Sequence, residues 1–236
     1  MTLYEAAGSE ITIPEREVYR YLGYRGIQLD AAVSARIEQC VQNLHKECRP
    51  KGAWEAYPVT LSYEGRIAES QNGSHSCRID LPGCGFNSAD LGRNLRGCST
   101  VALMAATIGP GVDYLIRRAE AVSMLDAAIY QAAGAAMVEA WCDDINQRIV
   151  DVMRQRSLYA RPRFSPGYGD APLALQRDFS RLLNMPASCG ISLTDTLLMV
   201  PSKSVTAFIG FSEKESSCTV TGCEACENHE NCEYSR

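Results

Sequence analysis

The sequence predicts an α+β fold, a twisted antiparallel sheet flanked by helices, with one long helix leading into an irregular loop. Segments with helical spacing of apolar residues are separated by segments that alternate between apolar and polar residues. Residues 100–107 form a continuous apolar run, which is typical of a buried strand. Residues 111–156 are long and regular enough for extended helix. Helices and strands are therefore expected to share one core.

The N-terminal elements follow from the spacing of their apolar side chains. Residues 15–22 and 30–48 predict two helices. The second carries apolar residues near helical spacing: Ala32, Ala35, Ile37, Cys40, Val41 and Leu44. Residues 56–80 alternate instead and include a Gln-Asn-Gly turn at 71–73, so two or three strands are expected there.

The remaining elements alternate between helix and strand. Residues 87–95 predict a short helix capped by Ser88, and residues 111–156 predict two helices with a break near 121–124. Residues 161–172 must form a loop, because their three prolines remove backbone donors. A helix and two short strands complete the order, at 173–183, 197–200 and 205–211.

Composition and charge exclude several classes of protein. The net charge of −5 and the pI near 5.3 argue against a nucleic-acid partner, because no excess of basic residues is available to neutralise phosphates. No stretch has the apolar core of a signal peptide or the length of a membrane span, so a cytoplasmic protein without a membrane partner is expected. Seven of the eleven cysteines are scattered singly, and we interpret them as small hydrophobic residues.

The loop sequence RFSPGYGD, residues 163–170, is the most informative short segment. Its prolines and glycines fix an irregular backbone. Arg163 offers a two-pronged donor for a carboxylate, and the ring of Tyr168 can lie beside an adenine or a sulfonium cation. On the residues alone, a purely structural loop between two domains explains the same pattern.

Glu139 is a second candidate, because it lies on an otherwise apolar stretch of the long predicted helix. One interpretation is that its side chain reaches solvent or pairs with an arginine. The other is that it meets the ammonium group of a bound amino acid, since a buried carboxylate requires a partner.

The C-terminal tail contains the cysteine pattern Cys218-x4-Cys223-x2-Cys226-x5-Cys232. Four thiolates at this spacing can bind a tetrahedral zinc ion or an iron–sulfur cluster. The alternative is a polar tail without metal, since Glu, Asn and Ser fill the gaps.

The loop pattern Arg-x-x-Pro-Gly-Tyr resembles the C-terminal activation domain of cobalamin-dependent methionine synthases. A helix, a Leu-Thr pair and the pattern Met199-x-Pro201-x-x-Ser204-Val205 follow it in the same order. The segment EAWCDDINQRI, residues 139–149, also resembles the helix before the loop in that family. The resemblance covers residues 121–210, and more loosely 87–109. About the first eighty residues instead resemble small free-standing relatives of this domain, which begin with a segment similar to YLGYRG, residues 21–26.

The resemblance implies that the chain binds S-adenosylmethionine. Arg163 would bind the carboxylate of this cofactor and Glu139 its amine, while Ser165, Gly167 and Tyr168 would line the nucleoside. No residue is assigned as a catalytic acid or base, because the implied role is to position the methyl group. Two residues of the family pattern have no clear counterpart here: an aspartate near the N-terminus and a tyrosine beyond the last shared strand.

The implied reaction is reductive methylation, which reactivates oxidised cob(II)alamin on a partner protein. The chain would act in trans, as part of a methionine synthase (methyltransferase) system. Its partners would be a cobalamin-binding methionine synthase subunit, or another corrinoid protein, and an electron donor such as flavodoxin.

These interpretations divide the chain into three parts. Residues 1–86 are expected to form helices and short strands, residues 87–211 the activation-domain-like core, and residues 212–236 the cysteine-rich tail. The alternative function is a metal or iron–sulfur module that activates a corrinoid protein without binding S-adenosylmethionine. A structural assembly subunit, with neither ligand, is a third hypothesis.

Overall fold

The computed structural model describes residues 1–24, 30–63 and 76–215. Within these residues the α-helices are α1 (Glu15–Tyr21), α2 (Ala31–Glu47), α3 (Ala89–Asn94), α4 (Gly111–Glu120), α5 (Met124–Arg154), α6 (Gln176–Leu182) and α7 (Met185–Ser188). The strands are β1 (Thr2–Glu5), β2 (Lys51–Pro58), β3 (Thr60–Tyr63), β4 (Cys77–Leu81), β5 (Cys84–Asn87), β6 (Thr100–Thr107), β7 (Tyr159–Ala160), β8 (Ser192–Leu193), β9 (Met199–Val200) and β10 (Ser204–Ser212). Short 3-10 helices lie at Gly8–Glu10 and Leu173–Leu175.

The main sheet is antiparallel and has strand order β1-β2-β6-β10-β7 within the described residues. The apolar strand β6 is central: Thr107 at its end lies opposite Lys51 of β2 on one side and Ser204 of β10 on the other. The prediction of an α+β fold with an antiparallel sheet flanked by helices is confirmed.

Apolar residues pack on both faces of this sheet. Ala102, Met104 and Ala106 of β6 face a cluster that includes residues of α2, α4 and α5. The alternate residues Val101, Leu103 and Ala105 face a second cluster, formed with α3, α6, α7 and the small sheet β3-β4-β5. Since β6 is covered on both faces, its sequence shows a continuous apolar run rather than alternation.

The long helix α5 begins where the sequence predicts a break. Ala121 ends α4, and the Ser123 side chain caps α5 by accepting the Asp126 amide at 3.2 Å. Small residues then bring α4 and α5 close together: a β-carbon added at Gly134 would lie 2.8 Å from the Val112 side chain. This packing orients α5 along the sheet toward the loop that follows it.

Several strands differ from the sequence prediction. β2 begins at Lys51 rather than near residue 56, because Gly52, Ala53 and Trp54 are all buried and show no alternation. The strands β1, β5, β7 and β8 were not predicted, because each is too short to give a periodic signal. β2 belongs to the first predicted part of the chain, residues 1–86, and β6 belongs to the second, residues 87–211. The two strands pair along eight residues, so both parts contribute to one sheet.

The seven scattered cysteines are reduced, and six of them are buried. Burial raises the pKa of their thiols, to about 12 at Cys48 and about 11 at the half-buried Cys84. Protonated thiols in apolar surroundings pack as small hydrophobic groups, in agreement with the interpretation from sequence. None of the helices in the described ranges has the length and apolar character needed to cross a bilayer.

Candidate functional site

After α5 the chain returns along the outer edge of β10. β7 pairs with the end of β10, the Arg161 amide donates to the Gly210 carbonyl at 2.7 Å, and Phe164 exchanges two backbone hydrogen bonds with Phe208. Side chains alternate along such an edge strand. Phe164 packs with the cluster of α3 and α6, while Arg163 contacts α5. The edge pairing therefore fixes Arg163 against the middle of the long helix.

Arg163 forms ion pairs with two carboxylates of α5. Its Nη2 atom lies 3.5 Å from Oε2 of Glu139 and 2.8 Å from Oδ1 of Asp143. These two residues are four apart, so they share one face of the helix. The exposed fraction is 24% for the side chain of Arg163, 43% for Glu139 and 72% for Asp143. The cluster therefore lies at an open surface.

One nitrogen of this arginine is unused. The Nη1 atom of Arg163 is buried and has no hydrogen-bond partner among the described residues. A buried donor without a partner costs on the order of 1–3 kcal/mol. Because a guanidinium binds a carboxylate with paired donors, this nitrogen is suited to an anionic ligand group.

The loop after Arg163 folds into a tight turn. The Tyr168 amide donates to the Ser165 carbonyl at 3.1 Å, and the Gly167 amide donates to the Ala171 carbonyl at 2.9 Å. Gly167 has a φ of +86°, a left-handed conformation that favours glycine. The Tyr168 ring is 65% exposed and meets the Phe164 ring edge to face, at 6.3 Å between centroids. The turn thus presents an aromatic face to solvent.

Asp170 anchors the end of this turn to α3. Its carboxylate accepts the amides of Ala89 at 2.6 Å and Asp90 at 3.1 Å, and also the Ser88 hydroxyl. Burial opposes ionisation of Asp170, but these hydrogen bonds outweigh it and lower the pKa of the carboxyl group. No local sequence pattern reveals this anchor, because Asp170 and the N-terminus of α3 are about 80 residues apart.

Residues 96–233 match the family described as vitamin B12-dependent methionine synthase, activation domain. The chain belongs to this family. The match includes the long helix, the loop and β10, and it continues across the four tail cysteines.

A solved structure supports the fold of this activation-domain family member. The fold is similar to the crystal structure of the MetH reactivation domain bound to AdoHcy, with a TM-score of 0.63 and 18% sequence identity. The alignment covers 92% of this chain and 79% of that one. None of the curated proteins compared with the sequence matches it.

The predicted site residues of this activation-domain protein fall into two groups. Glu139 and Arg163 meet in space, and Ser165, Gly167 and Tyr168 follow in the adjoining turn. Asp143 was missed, although its spacing of four residues from Glu139 is visible in the sequence. Two open depressions elsewhere on the surface, one beside Trp141 and one beside Arg161, are lined by other residues.

The predicted metal ligands Cys218, Cys223, Cys226 and Cys232 lie outside the described residues. Over the part of the chain that the structure describes, no group of three or more His, Cys, Asp or Glu side chains is arranged to hold a metal ion. The zinc or iron–sulfur site therefore stays a prediction from sequence.

Proposed function

We propose that this chain binds S-adenosylmethionine at Arg163, Glu139 and the turn 165–168, and presents its methyl group to a cobalamin held by a partner protein. The observation that carries the proposal is the buried, unpartnered Nη1 atom of Arg163 beside the Glu139 carboxylate. A cationic donor and an anionic acceptor side by side complement the carboxylate and ammonium groups of an amino acid.

The amino-acid end of the ligand would occupy the ion-pair cluster. Its carboxylate would accept from Nη1 of Arg163, which satisfies the unused donor. Its ammonium group would donate to Glu139, whose contact with Arg163 at 3.5 Å is longer than a close charge-assisted hydrogen bond.

The nucleoside would extend along the turn. Tyr168 offers an exposed ring for the adenine or the sulfonium, and the backbone of Ser165 and Gly167 lies beside it. The similar MetH reactivation domain was crystallised with AdoHcy, which is S-adenosylmethionine without its methyl group. A ligand of the same chemistry at this site is therefore consistent with the family.

The site lies at an open surface, so a second protein can approach the bound ligand and accept its methyl group. With a one-electron donor such as flavodoxin, the partner's cobalamin would supply the reduced cobalt that accepts the methyl group, and S-adenosylhomocysteine would be the product left on this chain. This chain contributes position and orientation, and it needs no acid or base. Acting in trans, it would serve a cobalamin-binding methionine synthase subunit or a related corrinoid protein.

Titration calorimetry with S-adenosylmethionine tests the proposal. Arg163→Ala is expected to weaken binding by about tenfold or more, because a charged hydrogen bond contributes about 1.5–3 kcal/mol. Arg177→Ala, at an exposed position on α6, is the matched control and should bind like wild type. Thermal unfolding verifies that both variants fold. Absence of binding by the wild-type chain, or equal binding by Arg163→Ala, contradicts the proposal.

A second candidate function concerns the tail. The described cysteines are mostly buried with raised thiol pKa values, so they are poor ligands, whereas the tail concentrates four cysteines between residues 218 and 232. The run Cys-x4-Cys-x2-Cys also occurs in plant-type [2Fe–2S] proteins. We infer a metal or iron–sulfur module that activates a corrinoid protein, and of the two an iron–sulfur cluster could also supply electrons, since zinc has no redox chemistry.

Anaerobic purification of the full chain tests this second function. Visible absorption and bound iron are expected for a cluster, and bound zinc without colour for a structural site. The bound metal, and any visible absorption, should decrease in Cys223→Ser and Cys226→Ser, while Cys84→Ser should behave like wild type. A colourless chain without metal contradicts the second function and leaves the first intact.

A further inference from the structure

Asp143 is the closer of the two carboxylates that contact Arg163. Its oxygen lies 2.8 Å from Nη2, against 3.5 Å for Glu139. One carboxylate is enough to neutralise a guanidinium, so the second gives the cluster a surplus of negative charge. The two carboxylates and one arginine sum to a charge of −1.

This surplus matters because two closely related ligands differ by one charge. S-adenosylmethionine carries a carboxylate, an ammonium and a sulfonium group, and therefore a net charge of +1. S-adenosylhomocysteine, the product after loss of the methyl group, has a neutral thioether and a net charge of 0. A cluster of charge −1 complements the first ligand and not the second.

From this, and resting on the proposed function, we infer that Asp143 is a specificity-determining residue that makes the site prefer the methylated sulfonium ligand over its demethylated product. Glu139 and Arg163 satisfy the amino-acid groups that the two ligands share. Asp143 supplies the charge that only the sulfonium ligand balances. Such a preference favours release of the product after methyl transfer, since the ligand loses its positive charge in the reaction.

In the proposed binding mode, the sulfonium would lie near this charge. The sulfur is three bonds from the α-carbon, whose substituents would contact Arg163 and Glu139. Asp143 lies one helical turn beyond Glu139 on the same face of α5 and contacts the same arginine. Because charges interact through space over a Debye length of about 8 Å at physiological salt, a sulfonium bound beside this cluster would be attracted to Asp143 without touching it.

The size of the preference is limited by solvent. The Asp143 side chain is 72% exposed, so its charge is strongly screened. Exposed charge pairs contribute about 0.2–1 kcal/mol, which corresponds to roughly a 1.5- to 5-fold change in an equilibrium constant. The expected effect is accordingly modest, specific to one ligand, and sensitive to ionic strength.

The test measures Kd for S-adenosylmethionine and for S-adenosylhomocysteine on the wild-type chain, Asp143→Asn and Asp144→Asn. Asp143→Asn should reduce the preference for the sulfonium ligand by roughly 1.5- to 5-fold, mainly by weakening its binding. Asp144 is the matched control: it makes the same change in charge on the next residue, but it pairs with Arg148 on another face of α5. Added salt should reduce the preference of the wild-type chain.

Each outcome decides the inference. An unchanged ratio in Asp143→Asn overturns it and leaves the proposed function standing. Tighter binding of both ligands also overturns it, because Asp143 would then compete with the ligand for Arg163. An equal loss in Asp144→Asn shows a general charge effect and overturns it too. If the wild-type chain binds neither ligand, the proposed function and this inference fail together.

Discussion

Asp90 and Asp170 each accept the backbone amide of the other, both at 3.1 Å. This reciprocal pair joins the start of α3 to the end of the loop that carries Arg163 and Tyr168, across 80 residues of sequence. Because α3 packs on the sheet face opposite α5, the loop is held from both sides of the sheet. The conformation of the candidate site therefore depends on residues that contact no ligand.

The first prediction concerns this anchor. Asp170→Ala removes a carboxylate that caps α3, and loss of such a cap costs about 1 kcal/mol, within a range of 0.5–2. The free energy of unfolding, from urea denaturation, should fall by about that amount. Asp195→Ala, in an exposed loop, is the control and should change it little. An unchanged stability in Asp170→Ala would show that water replaces the cap without loss.

The second prediction is the pH dependence of the same contribution. Hydrogen bonds lower the folded-state pKa of Asp170 against the effect of burial, so the folded protein favours the charged carboxylate. The resulting stabilisation is present above the pKa of the unfolded chain and disappears as the pH falls through the folded-state pKa. The difference in unfolding free energy between wild type and Asp170→Ala should therefore shrink in acid. A difference that grows as the pH falls would reverse the sign and contradict the assignment.

The third prediction concerns the glycine before the anchor. Gly169 has a φ of +52°, and a β-carbon there would lie 2.2 Å from Oδ2 of Asp90. Gly169→Ala should therefore break the Asp90–Asp170 pair, in addition to the conformational cost of about 1–2 kcal/mol that alanine meets in this region. Both stability and S-adenosylmethionine affinity should fall.

Gly190 is the matched control, since its φ is +72° and a β-carbon there would meet nothing within 4 Å. Gly190→Ala therefore measures the conformational cost of alanine at positive φ without a steric clash. Equal melting temperatures for the two alanine variants would mean that the Asp90 contact adds nothing.

Sequence patterns predicted the regular elements better than the site. The apolar run of β6, the helical spacing in α2 and the break before α5 depend on local periodicity, and the structure confirms them. The predicted start of β2, near residue 56, is wrong: the strand begins at Lys51, because a strand covered on both faces does not alternate between apolar and polar residues. The family resemblance, rather than periodicity, suggested that Glu139 and Arg163 act together.

The structure adds the contacts that no local pattern contains. The meeting of Arg163 with Glu139 and Asp143 depends on the edge pairing of Phe164 with Phe208, between residues distant in sequence. The anchor at Asp170 depends on α3 in the same way. Tertiary packing decides these contacts, so a single sequence could name the residue types but not their partners.

The last prediction separates binding from folding at Tyr168. Its ring is 65% exposed and meets the Phe164 ring edge to face, so Tyr168→Ala should leave the melting temperature nearly unchanged. If the ring stacks on the adenine, its loss should cost about 1–3 kcal/mol of binding, or roughly 5- to 150-fold in Kd. Tyr168→Phe keeps the ring and should retain most of the affinity. Tyr114→Ala removes another exposed tyrosine, on α4, and should bind like wild type. Wild-type affinity in Tyr168→Ala would contradict the placement of the nucleoside at the turn. It would not contradict the placement of the amino-acid end at Arg163, because the two ends of the ligand are tested by different variants.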